Sequence, residues 1–287
     1  MHDTQSWTVG DVRLTSVLES QTEHIPPELF FPAATAAGVA EHAWVIPDFA
    51  DDDGNIALRI QALVIEVAAR RLLVDPCVGN AKTLDMPFWN AMTWPFMERF
   101  AAAGFHPASI DTVLHTHLHA DHCGWDTHLV GDAWVPTFPN ARHLYTQASL
   151  DALSDPSGYD NANVLAQSVQ PILDAGLADI VAEDAELGDG LRLAPSGGHT
   201  PGHVSLWIES RNEVGLISGD IVHHPVQCAV TEWAEVGDAD ADEARATRRR
   251  MLDEAASTGA LFFGTHFPTR PAGRVVAADD AWRFIPA

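Results

Sequence analysis

Basic residues are scarce: 16 Lys and Arg stand against 40 Asp and Glu, for a formal net charge of −24. A surface of that sign repels polyanions over long range, which argues against nucleic acid and anionic membranes as partners. Small neutral or cationic molecules are left as substrates. Cysteine is equally sparse. Cys77, Cys123 and Cys228 are odd in number and show no C-x-x-C spacing, so a disulfide framework is not expected. No apolar run approaches the roughly 20 residues that a membrane span needs. Met1 to Gly10 lacks a basic segment followed by an apolar one, and a cytoplasmic location is expected. Repeats and low-complexity linkers are also missing. The one shift in composition, Pro47 to Asn55, reads as a solvated turn through Asp51, Asp52, Asp53 and Gly54. It is not a calcium loop, because further oxygen ligands at regular spacing are lacking.

What is present is an ordinary globular balance, 46% hydrophobic and 20% charged over 287 residues. That suffices for a sizeable core, and a single domain spanning 1–287 is expected. Short β-like segments run at Trp7 to Val9, Val12 to Leu18, Ile56 to Val67, Arg71 to Val74, Thr112 to Leu114, Leu191 to Ala194, Val204 to Ile208 and Val214 to Ser218. Met92 to Gly104, Ser149 to Leu153 and Asp240 to Thr258 read as helices, the last carrying Arg245, Arg248 and Arg249.

Chemistry concentrates where the apolar strand Thr112 to Leu114 runs into His115-Thr116-His117-Leu118-His119-Ala120-Asp121-His122. Strand ends let a rigid scaffold aim side chains at a shared point, and His117 and His119, two apart in extended chain, share a face. Three histidines and an aspartate in so short a run exceed what one tetrahedral ion requires, which suggests two ions. Three further segments each bring a donor to the end of a β segment: Gly197-Gly198-His199-Thr200-Pro201-Gly202-His203, Ser218-Gly219-Asp220 and Gly264-Thr265-His266.

In this order the motifs resemble the metallo-β-lactamase superfamily, from the first hairpin to His266. The resemblance implies an α/β fold, an αββα four-layer sandwich with the metal site at the edge between the two sheets. Carried over position by position, it implies that His117, His119 and His199 hold one metal and Asp121, His122 and His266 a second, with Asp220 bridging. Two divalent ions are implied, zinc first, with iron, manganese or cobalt accepted by the same donors. Asp75, in Val74-Asp75-Pro76, matches an acidic motif of the superfamily and is expected either to steady a ligand histidine or to serve as strand-end turn chemistry.

The mechanism implied is attack by a hydroxide bridging two ions, with one metal polarising the substrate oxygen and Asp121 orienting the nucleophile and handling its proton. Among relatives the pattern is most similar to N-acyl-homoserine lactonases and methyl parathion hydrolase, which points to a carboxylic ester or lactone with an acyl or aryl group. A phosphotriester is the alternative. The lactonases tend to carry Tyr three residues after the bridging Asp, where this chain has His223. That residue is either a donor to the developing oxyanion or a packed neighbour.

Leu29 to Pro32, Met86 to Trp89, Trp94, Phe96, Met97, Trp125 and Trp134 are either pocket walls for a neutral, partly apolar substrate or core and dimer contacts, a homodimer being expected from the related lactonases. Cys123 reads as a small buried residue and His203 as structural, while His115, His128 and His143 show no ligand pattern. A di-iron redox protein on the same fold is the rival from another class. A nuclease is disfavoured by charge, and a glyoxalase II-like thioesterase by the 21 residues that follow His266.

Overall fold

A computed structural model describes residues 3–287, and in it the chain forms two compact units, the first ending at Ser20 and resuming over Ile60–Ala185, the second comprising Gln21–Arg59 and Glu186–Ala287. The strands of the first sheet are β1 (Thr4–Val9), β2 (Val12–Ile25), β3 (Ile56–Val67), β4 (Arg70–Val74) and β5 (Thr112–Leu114). After the separate hairpin β6 (Thr127–Val130) and β7 (Ala133–Pro136), β8 (Arg142–Thr146) and β9 (Ala178–Val181) complete it, in the order β1-β2-β3-β4-β5-β8-β9. β1 with β2 and β3 with β4 are antiparallel hairpins, whereas β4, β5, β8 and β9 are parallel neighbours. Parallel strands need crossovers, and the segment Phe96–Ala102 supplies the helix of the first.

The second sheet lies in the other unit. It runs β10 (Glu186–Gly188), β11 (Leu191–Pro195), β12 (Val204–Ser210), β13 (Glu213–Ile217), β14 (Leu261–Phe263), β15 (Ala272–Ala278) and β16 (Ala281–Pro286), in chain order across the sheet. All neighbours are antiparallel except β13 and β14, whose crossover is the helix Ala241–Thr258. Asp240 starts that helix by accepting the N–H groups of Asp242 and Glu243 at 3.1 and 3.0 Å, and Gly259, at φ +65°, ends it. Its buried face, Ala244, Thr247, Arg248, Met251, Leu252 and Ala255, keeps helical spacing.

Every strand read from the sequence is present. The helix expected from Met92 starts only at Phe96, because Pro95 disfavours helical geometry at Trp94. Met92 and Trp94 instead bond Ala81 and Asn80. The expected helix at Ser149 begins two residues earlier, capped by the Thr146 hydroxyl. Asp51 does form a turn, accepting the N–H groups of Asp53 and Asn55 at 3.0 and 2.8 Å. Among the described residues, no helix is long and apolar enough to cross a membrane.

Each unit has its own apolar core. In the first, Phe96, Phe100, Phe105, Phe138, Val113 and Trp125 pack together, and Trp125 stacks on Phe96 with centroids 5.5 Å apart. In the second, Phe31, Phe49, Phe262, Phe267 and Phe284 pack with Trp207 and Trp233. Phe31, Phe96 and Trp125 are therefore core rather than pocket wall. Trp134 covers the buried ammonium of Lys82 at 3.8 Å, while Leu29 and Phe88 are exposed.

One core residue carries a charge problem. Glu19, 1% exposed, accepts hydrogen bonds from Val78 N (2.9 Å), Gly79 N (3.1 Å) and Trp125 Nε1 (2.6 Å). Burial nevertheless pushes its carboxyl from 4.5 up to about 7. Between those values the folded chain holds a proton that the unfolded chain has released, so this contribution is whole below pH 4.5 and lost as the pH rises through about 7. Urea unfolding from pH 4.5 to 8 should show Glu19→Gln losing less stability than the parent over that window, by at most about 3 kcal/mol. Parallel pH curves would show that Glu19 is ionised throughout.

Candidate metal centre

In the first unit the donors leave the end of β5. Asp75, at the end of β4, sits at φ +50°, its N–H on the Leu114 carbonyl at 3.0 Å. Non-glycine residues adopt this conformation at a cost, and here it aims a buried carboxylate at the donor loop. Asp75 Oδ1 accepts Thr116 N at 2.8 Å, and Oδ2 accepts the Thr116 hydroxyl at 2.7 Å and lies 3.0 Å from His122 Nδ1. Since the Thr116 hydroxyl donates to Asp75, its oxygen accepts from His117 Nδ1, 3.1 Å away. His117 and His122 thus have Nδ1 tied. The His117 ring stands 4.6 Å from that of His119 and 4.0 Å from that of His122, centroid to centroid, and His122 Nε2 is 3.7 Å from Asp121 Oδ2. The short helix Ala120–Cys123 keeps Asp121 and His122 beside the two earlier histidines.

In the second unit Asp220 Oδ2 is a hub for three imidazoles: His266 Nε2 at 3.0 Å, His223 Nε2 at 3.4 Å and His199 Nε2 at 3.8 Å. The far nitrogens of two of them are again tied. His266 Nδ1 donates to the Arg59 carbonyl at 2.8 Å, and His199 Nδ1 donates to Asp238 Oδ1 at 2.9 Å. Asp238 is held by Glu235 N at 3.0 Å on Oδ2 and by Arg248, 3.7 Å from the same oxygen. Arg248 is itself buried, donating to the carbonyls of Ile221 and Thr231 at 2.7 Å each. His203 is structural, as read from the sequence: its Nε2 accepts the backbone N–H of Asp220 at 3.0 Å while Nδ1 donates to Ser196 Oγ at 2.8 Å.

His223 lies within this cluster, its ring 4.8 Å from that of His199 and 5.4 Å edge-on from Phe30, the one aromatic of the Leu29 to Pro32 run that reaches it. Glu235 is buried beside it, and loss of solvation pushes its carboxyl up to about 7 against the lowering charge of His223. Cys123 is buried, its thiol pushed well up by desolvation and donating to the His119 carbonyl at 3.4 Å, so it is no nucleophile.

The donor set fits divalent metal ions. An imidazole that donates one N–H to a carboxylate, hydroxyl or carbonyl presents its other nitrogen as a lone-pair donor in a fixed plane. His117, His122, His199 and His266 are so arranged, and His119, Asp121 and Asp220 add nitrogen and oxygen of the kind zinc, iron, manganese and cobalt accept. Sequence reasoning missed Asp238, Glu235, Arg59 and Arg248. The acidic run Glu235-Val236-Gly237-Asp238 is the only signal that marked any of them.

Comparison with known proteins agrees. The family model described as the metallo-beta-lactamase superfamily matches residues 57–266. The N-acyl homoserine lactonase AttM of Rhizobium radiobacter is 27% identical over 135 residues, 43% of this chain and 48% of that protein, so the match spans about half the length of this curated relative. Two solved structures cover nearly the whole chain. A hydrolase of the beta lactamase superfamily, AbOPH, superposes with TM-score 0.83 at 24% identity, covering 100% of this chain and 98% of its own. AidC, described as a dizinc quorum-quenching lactonase in complex with a product, gives 0.78 at 22% identity, covering 99% and 97%. These likenesses establish the metallo-β-lactamase fold.

The loop that carries His199 depends on one glycine. Gly198 sits at φ +122°, and a Cβ there would stand 2.2 Å from Ala244 N, at the start of the helix Ala241–Thr258. Gly198→Ala should cost about 2–4 kcal/mol through backbone strain and overlap, read as a lowered urea midpoint. An unchanged midpoint would mean that the loop relaxes freely.

Proposed function

This chain belongs to the metallo-β-lactamase superfamily of metal-dependent hydrolases, and we propose that within it the protein opens carboxylic esters or lactones bearing an acyl or aryl group. The observation that carries the reading is the hub at Asp220, where three imidazole Nε2 atoms lie 3.0 to 3.8 Å from one carboxylate oxygen. A carboxylate so surrounded suits a shared ligand. The assignment is His117, His119 and His199 to one ion, Asp121, His122 and His266 to a second, and Asp220 to both. Bound there, divalent ions supply Lewis acidity for the substrate oxygen and acidify a water near neutral pH.

The chain's own residues do the rest. Asp121, buried and paired with His122, orients the attacking water and takes its proton, which the leaving oxygen then needs. His223 turns Nε2 into the same cluster and donates a hydrogen bond to the developing oxyanion. Asp75 and Asp238 keep the imidazoles of His122 and His199 in the tautomer and orientation that binding requires. Phe30, edge-on to His223, is an apolar contact for the acyl or aryl group. The ester or lactone class is supported by the likeness to AttM, an N-acyl homoserine lactonase, and to AidC, a quorum-quenching lactonase. A net charge of −24 favours a neutral ligand over an anionic one.

Two measurements test this. Purified protein with its metal content quantified should hydrolyse a long-chain acyl lactone or an aryl ester in preference to a phosphotriester or a cephalosporin, lose that activity on chelation and regain it with added metal. Activity confined to the phosphotriester would replace the ester reading. For His223, substitution by Phe should lower kcat by roughly 10- to 1,000-fold at unchanged metal content, the range of a lost oxyanion donor. An unchanged kcat would make His223 a packing residue.

A further inference from the structure

Outside this cluster, the first unit buries a second constellation in which the sequence showed no ligand pattern. His115 follows β5, His143 and Tyr145 lie on the adjoining parallel strand β8, and Asp126 closes the turn Gly124–Asp126. All four side chains are within 3% of complete burial. Asp126 Oδ1 is 2.9 Å from His115 Nε2 and 3.2 Å from His143 Nδ1, and Oδ2 accepts the Tyr145 hydroxyl at 2.9 Å.

We propose that His115, Asp126 and His143 form a separate buried site for a divalent cation of the zinc class.

The tautomer of His115 points to an ion. Its Nδ1 lies 3.1 Å from the Leu144 carbonyl, which can only accept, so Nδ1 carries the proton. A neutral ring then turns the Nε2 lone pair onto a carboxylate oxygen, and two acceptors at 2.9 Å require a positive charge between or on them. The N–H to a carbonyl on one side and a carboxylate on the other is also the arrangement of ligating histidines. His143 points the same way. Nε2 has no hydrogen-bond partner, and Nδ1, 3.2 Å from the Asp126 carboxylate, faces it without a well-aligned hydrogen bond. A buried polar nitrogen left so is costly, and an ion sharing that oxygen removes the cost.

Spacing supports the same reading. Donors bonded at about 2.0–2.1 Å to a tetrahedral ion stand roughly 3.3 Å apart, close to the 2.9 and 3.2 Å found here. The three donor atoms all lie within 4.8 Å of one another. Two imidazoles and one carboxylate exclude calcium and magnesium, which need six or more oxygens. With all three ligands buried, the ion is structural. It pins β5 to β8 and to the turn that follows His122, and thereby steadies the loop His117 to His122.

The test uses the full-length protein and zinc alone. A zinc-edge anomalous difference map from crystals grown with zinc should show a peak within about 2.3 Å of His115 Nε2, His143 Nδ1 and Asp126 Oδ1, apart from any peak at His117, His119 or His122. In solution, elemental analysis should find one equivalent of zinc fewer in His143→Phe than in the parent, while Tyr145→Phe, which keeps the ring stacked on His115 and removes only the hydroxyl on the carboxylate, keeps it. Absence of that peak, or equal zinc in the parent and a folded His143→Phe, overturns the proposal and makes His115 an imidazolium paired with Asp126. Should His143→Phe fail to fold, the map on the parent decides alone. Loss of this site leaves the ester-hydrolase reading standing, because its ligands give separate peaks.

Discussion

A carboxylate buried behind an imidazole decides which ring nitrogen carries the proton, and the organisation of this protein's chemistry follows from that constraint. Asp75 does it for His122 and, through Thr116, for His117, and Asp238 does it for His199. The Arg59 carbonyl does the same for His266. Each contact leaves Nε2 as a lone-pair donor in a fixed direction. Without it an imidazole would rotate and exchange tautomers, and a set of histidines would be polar side chains rather than a ligand set. The cost is buried charge, met by giving each carboxylate several donors: backbone and side-chain donors on Asp75, and Glu235 N with the Arg248 guanidinium at Asp238.

Backbone geometry serves the same end. Asp75 leaves β4 at a positive φ, Gly198 occupies a conformation and a space that no side chain shares, and the helix Ala241–Thr258 presses its first turn against that glycine while sending Arg248 inward. The crossover helix is thus both core and scaffold. One face packs Met251, Leu252 and Ala255, and its Arg248 binds the loop carrying Asp220 and Ile221 and stands against the aspartate that holds His199. Strain and close approach at these points are tolerated because the flanking strands β4 and β5, and β11 and β12, are paired in their sheets.

The histidine-rich loop shows how local sequence and tertiary context divide the work. His117, His119, Asp121 and His122 are legible because a strand and the first turn of a helix put them close together from adjacent positions. His115, in the same run, belongs elsewhere: it turns to the other side, onto Asp126 and the neighbour strand's His143. No periodicity distinguishes the two fates, since both place a histidine near the end of a β segment. Aromatic residues divide in the same way. Phe31 and Phe96 fill cores, Phe30 meets His223 and Phe88 remains outside, although all lie in similar apolar runs.

By itself, the sequence determined what depends on neighbours in the chain: the strands with their apolar alternation, the long helix between Asp240 and Gly259, the superfamily's ordered donor motifs, and the net charge of −24. Only the tertiary structure decided which groups stand behind the donors. Asp75 reaches Thr116 across 41 residues, Asp238 reaches His199 across 39, and Arg59 reaches His266 across 207. Nothing in the chain near an aspartate or a carbonyl records such a partner, because hydrogen bonds of that span are chosen by strand order and by the closing of each core, and those are properties of the whole fold.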